Sequence, residues 1–117
     1  GLMLVIKPRT VEVVFRSAKV SASPSHAVDV SNSAELVIRK GENSEVLSFE
    51  GRTLKFGSSQ FDIFEIESIY VARGNAGIVV ESPSLIARLG EFLSRDDQNW
   101  VTTWLIDRLQ ESREAAA

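Results

Sequence analysis

Between Leu36 and Leu89 turn-forming residues recur at intervals no longer than a strand, and this punctuation restricts the chain to antiparallel pairing. Parallel neighbours need crossovers of about a dozen residues or more, and no such length is free here. Residues 41–43 and 50–51 supply the turns between three short segments, around residues 36–39, 45–49 and 52–56, which read as a meander. Further along, the stretch Gly-Asn-Ala-Gly at 74–77 turns the chain into residues 78–81. Pro83 then stands where a type I turn favours proline, ahead of a last strand at 85–89.

The segments outside this meander are less regular. Val11, Val13 and Phe15 alternate with Glu12, Val14 and Arg16, the period of two expected of a half-buried first strand. The serine-rich stretch 21–33 reads as a loop holding a short strand at 27–30. Its weak apolar alternation makes it the expected edge of the sheet. From Phe61 to Arg73 the apolar phase switches, with Phe61 and Ile63 on one parity, Phe64 and Ile66 on the other, and Ile69 and Val71 back on the first. A bulge or a bend in one strand accounts for such a switch.

The C-terminal segment changes period. Ser94 is placed as an N-cap, with Asp97 three residues on to complete a capping box and Asp96 adding charge at the positive end of the helix. Trp100, Val101, Trp104, Leu105 and Leu109 then form one apolar stripe, while Arg95, Gln98, Asp107 and Gln110 face away. Two tryptophans on one stripe carry too much apolar surface to leave in water. The helix is therefore expected as a lid over the open end of a bent sheet. Residues 114–117 have no apolar face and are expected to fray, and Gly1 and Leu2 ahead of Met3 read as a vector remnant.

The chain has 117 residues, one domain's worth of core. No apolar run approaches the length of about 20 residues that spans a bilayer as a helix. A net charge of −3 disfavours nucleic acid, whose binding draws on concentrated Lys and Arg. With no cysteine, disulfides, thiolate metal sites and cysteine nucleophiles are excluded, and a cytoplasmic setting is expected.

Gly90, Leu93, Ser94, Asp96, Asp97, Trp100 and Leu105 mark a strand running through a Gly-x-x-Leu-Ser segment into a tryptophan-bearing helix. This ending resembles that of small bacterial pleckstrin-homology-like domains, found as soluble parts of membrane-anchored proteins. The resemblance covers the last third of the chain, and upstream only the number and order of strands. It implies an α+β fold, an antiparallel open barrel of about seven strands capped by one C-terminal amphipathic helix, over residues 1–117 as a single domain. No transmembrane pair precedes the barrel here, and the resemblance brings no catalytic residues.

Candidate chemistry is sparse. His26 is the sole histidine and lies in the serine-rich loop, so it reads as a solvated residue rather than a metal ligand or triad member. Glu65 with Glu67 and Asp96 with Asp97 have structural explanations, strand alternation for one pair and a helix N-terminus for the other. Neither glycine-containing turn ends in the Gly-Lys-Ser/Thr of a phosphate loop. No catalytic residue, cofactor or metal is expected. Lys7, Arg9, Arg16 and Lys19 form a basic cluster that suits lipid or other anion contact, and relatives of the fold use basic side chains there for lipid phosphates.

The reading is a non-enzymatic module for protein interaction or assembly, with an unidentified protein or a second copy pairing along a strand edge to give a homodimer. The alternative is a peripheral membrane module binding anionic head groups through the basic cluster, at the inner face of the membrane. That attraction is expected to be weak and salt-sensitive.

Overall fold

The computed structural model describes residues 25–32, 34–74 and 76–116. The first strand expected around Val11, Val13 and Phe15 lies outside the described residues, as does the pair Gly1 and Leu2. Among the described residues the chain runs through eight strands and one helix: β1 (Val28–Asn32), β2 (Glu35–Lys40), β3 (Asn43–Glu50), β4 (Thr53–Phe56), β5 (Ser59–Asp62), β6 (Ser68–Val71), β7 (Ile78–Glu81), β8 (Ile86–Leu89) and α1 (Arg95–Ala116). Eight is one more than expected, even without the N-terminal segment.

All pairings are antiparallel, and the strands divide into a sheet ordered β1-β2-β3-β4-β5 and a smaller sheet ordered β6-β7-β8. Among the described residues the barrel is open, because no ladder joins β1 to β8 or β5 to β6. Register explains which residues enter the core. Leu36, Leu47 and Phe56 stand opposite one another across three strands, and Phe49, Leu54 and Phe61 form the next row. These six are buried, whereas the alternate positions carry Glu35, Ser48, Lys55 and Gln60. In the small sheet Ile69 and Val80, with Ile78 beside them, complete the same core.

The phase switch after Phe61 is a break between two strands rather than a bulge within one. Ile63 and Ile66 are both fully buried, and a continuous strand would place residues three apart on opposite faces. The chain therefore turns between them and crosses to the other sheet. Asp62 holds that turn, its Oδ1 accepting from Phe64 N at 2.9 Å and its carbonyl from Glu65 N at 2.9 Å. Arg52 stacks its guanidinium 4.8 Å from the Phe64 ring centroid. The break takes the Ile63 and Ile66 carbonyls out of any ladder, and Arg113 from the end of α1 donates to both, at 2.8 and 2.7 Å. Burial lowers the Arg113 pKa from its ordinary value.

The helix packs chiefly against β6 and joins a core shared by both sheets. Ser94 caps it, with Ser94 Oγ accepting from Asp97 N at 3.2 Å. The buried face is Val101, Leu105, Ile106 and Leu109 with Gln98 and Thr102, so the stripe is turned from its expected centre. Trp100 and Trp104 are half-buried on its flank, and Trp104 meets Phe49 with ring centroids 5.9 Å apart. Gln98, expected to face away, is 1% exposed. The reason is the loop before the helix: Gln98 Nε2 donates to Gly90 O at 3.2 Å and Leu93 O at 3.0 Å, pairing carbonyls that no strand reaches. The helix continues through Ala116, into the stretch expected to fray.

Candidate functional site at the strand edges

The site residues expected from the sequence fall into two groups. Lys7, Arg9, Arg16 and Lys19 lie outside the described residues. Ser94 and Asp97 lie at the start of the helix, Leu105 lies on its buried face, and Trp100 and Trp104 are half-buried on its flank. Asp97 is buried, but it does not return to Ser94 in a capping box. It accepts from Ser25 N at 3.1 Å and from Ser25 Oγ, tying the loop before β1 to the helix 72 residues later.

His26 is exposed and borders an open depression of about 440 Å³ that is lined in part by Arg39, Lys40 and the Ser25–Asp97 contact. Glu65 and Glu67 are exposed at the crossing between sheets, and Asp96 is exposed on the first turn of the helix. Among the described residues, no group of three or more His, Asp or Glu is placed to hold a metal ion.

A polar network that the sequence did not reveal occupies the outer face of the small sheet. Glu81 Oε1 accepts from Ser68 Oγ at 2.7 Å, and Glu81 Oε2 accepts from Tyr70 OH at 2.8 Å. Donation of the phenol proton to Glu81 raises the Tyr70 pKa above its ordinary value. Burial and the charge of Glu81 add to the rise, and Arg88 opposes it. Ser68 and Tyr70 share a parity on β6, but their meeting with Glu81 depends on the β6–β7 register.

Among the described residues the same sheet ends at β8, and neighbouring bonds fix its ladder phase. Glu81 O accepts from Glu67 N at 2.7 Å and Gly77 O from Ala72 N at 2.8 Å, so these β7-side groups point toward β6. By alternation Ile78 and Val80 turn to β8, in agreement with the 2.8 Å bond from Ser82 N to Leu85 O. Their opposites, Leu89 and Ala87, bond inward. The backbone groups of Ile86 and Arg88 are thus aimed away from the sheet. At the end of that line Gly90 N is satisfied by Glu45 Oε1 at 2.9 Å. Gly77 keeps the preceding loop close against this strand: at φ 94° an added Cβ would stand 2.8 Å from Leu89 O.

Beside the free backbone groups lies exposed apolar surface. Ile86 is 64% exposed and Leu85 37%, against 44% for Val30 and 45% for Val46. β1 ends the larger sheet among the described residues, which places part of the serine-rich segment where an edge was expected. Arg39 N donates to Ala27 O at 2.8 Å, so alternation turns the backbone of Val28 and Val30 outward. That edge is less regular, because its register shifts between Val30 and Asn32. β8 is the more regular template of the two. Comparison with family models, with curated proteins and with solved structures gives no match to this chain.

Proposed function

We propose that this chain is a non-enzymatic protein-interaction or assembly module on a pleckstrin-homology-like barrel, working by strand addition at an open sheet edge. The observation that carries the reading is the β8 edge, where outward backbone groups at Ile86 and Arg88 coincide with the most exposed large apolar side chain among the described residues. An unpaired row of N–H and C=O groups is a template for another strand. Proteins that keep such an edge idle blunt it with very short strands, charged side chains, Pro or a bulge. β8 is short and carries Arg88, but neither Pro nor a bulge interrupts Ile86–Leu89. Main-chain bonds supply affinity in this mode, and alternate side chains supply selectivity.

Site-specific photo-crosslinking in the cell tests the reading. A crosslinker at Ile86 is expected to capture protein, and one at Val46 is not. Val46 is 45% exposed but sits on β3, which has strand neighbours on both sides. Equal capture from both positions, or none from Ile86, would remove edge pairing as the function.

A further inference from the structure

We infer that the strand received at β8 is β8 of a second copy, paired antiparallel about a two-fold axis at Ala87. The inference rests on reading the chain as an edge-pairing module and adds the identity of the partner. Self-complementarity is what argues for it. In an antiparallel pair centred on Ala87, Ile86 stands opposite Arg88 of the second copy, and Arg88 opposite its Ile86. Both residues direct their backbone groups outward, so each such pair can exchange both N–H···O bonds, as a hydrogen-bonded pair requires.

Ala87 then meets Ala87 of the second copy at the axis, in a non-hydrogen-bonded pair. Opposed Cα atoms come closest there, at about 4.5 Å, and a small side chain suits the place. The side chains agree with the same register. Arg88 is the one charge on β8. Centring on Arg88 itself would set two guanidinium groups face to face, and like charges directly opposed are unfavourable. Centring on Ala87 instead lays each arginine stem along an isoleucine that is 64% exposed in the single chain. The small sheets of two copies then form one continuous sheet across the axis, by the closed two-fold pairing commonest among oligomers.

β8 spans four residues, so the contact is small and the association weak, below about 1,200 Å² of buried surface. Sedimentation equilibrium of the full chain tests the inference. The wild type is expected to show a monomer–dimer equilibrium in the tens of micromolar. Ile86→Lys places a cation opposite Arg88 of the second copy at both symmetric positions and is expected to weaken the dimer at least about tenfold. Ile86→Glu places an anion there and is expected to leave the dimer as tight as the wild type or tighter, with added salt dependence. The double variant Ile86→Lys with Arg88→Glu restores opposite charges and is expected to recover the dimer.

A wild type that stays monomeric at those concentrations overturns the second copy as partner, and crosslinking at Ile86 then reads independently whether the edge serves another protein. A dimer that ignores all three variants overturns β8 as its seat and leaves assembly through a different edge. Equal weakening by Lys and Glu overturns the register.

Discussion

Replacing Gln98 by glutamate changes one atom in one of the two most enclosed polar positions of the helix, and the structure sets the size of the effect. The side chain is 1% exposed and its Nε2 serves the carbonyls of Gly90 and Leu93. Gly90 O retains a bond from Leu93 N at 3.0 Å, so Leu93 O depends on Gln98 the more heavily. In acid the introduced carboxyl keeps one O–H donor and loses the second bond, a cost of about 1 kcal/mol. At higher pH it must either ionise against two carbonyl oxygens or hold its proton, so its pKa in the folded chain is raised.

For a raised pKa the stabilising state is the protonated one. Stability relative to wild type is greatest below the unfolded value of about 4.3, and it falls by about 1.4 kcal/mol per pH unit above it until the folded pKa is reached. Carried to pH 7, the loss approaches about 4 kcal/mol, to which the missing bond adds about 1. That sum is comparable with the whole stability of a marginal domain, about 5–15 kcal/mol. Urea denaturation of both proteins from pH 4 to pH 7 measures the difference. Gln98→Leu is the control, since it loses the bonds but introduces no titrating group. A Gln98→Glu deficit that stays constant across this range would refute the enclosed position of the side chain.

Arg113→Ala strands the carbonyls of Ile63 and Ile66 and is expected to cost about 2 kcal/mol by chemical denaturation, with Arg113→Lys recovering only part because one ammonium does not span both. A loss below about 0.5 kcal/mol would mean that the crossing between sheets does not need the bridge. Leu105→Ala, at a fully buried position, is expected to cost about 3–4 kcal/mol, and Trp104→Ala, on the half-buried flank, about 2. The reverse ranking would return the tryptophan to the centre of the helix contact. The Tyr70–Glu81 bond contributes stability that is fully present below the ordinary tyrosine pKa and is lost as pH rises through the raised folded value. Tyr70→Phe is therefore expected to flatten the alkaline limb of the stability profile. An alkaline limb unchanged by that substitution would place the loss elsewhere.

Local signals settled much of the fold. The turn residues around Gly41, Gly51 and Pro83 located β2, β3, β4, β7 and β8 to within a few residues, because two-stranded reversals are decided by the few residues at the turn. Ser94 located the helix start for the same reason, since an N-cap acts on the amides of the next turn. The Phe64 and Ile66 phase switch was visible too, but two sheets could not be told from one bent strand. That choice depends on where Ile63 and Ile66 find a core, and on Arg113 arriving from the far end of the helix.

The candidate site depended almost wholly on tertiary structure. Asp97 carries the spacing of a capping box, yet its partner is Ser25, which no local window contains. Gln98 falls on the polar side of a helical wheel drawn from the tryptophans, and it is buried because two carbonyls of the preceding loop require a donor. An edge is a property of strand order rather than of strand composition. The residues of β8 specify a strand by themselves, but only the placing of the other strands leaves the backbone of Ile86 and Arg88 without a strand neighbour among the described residues.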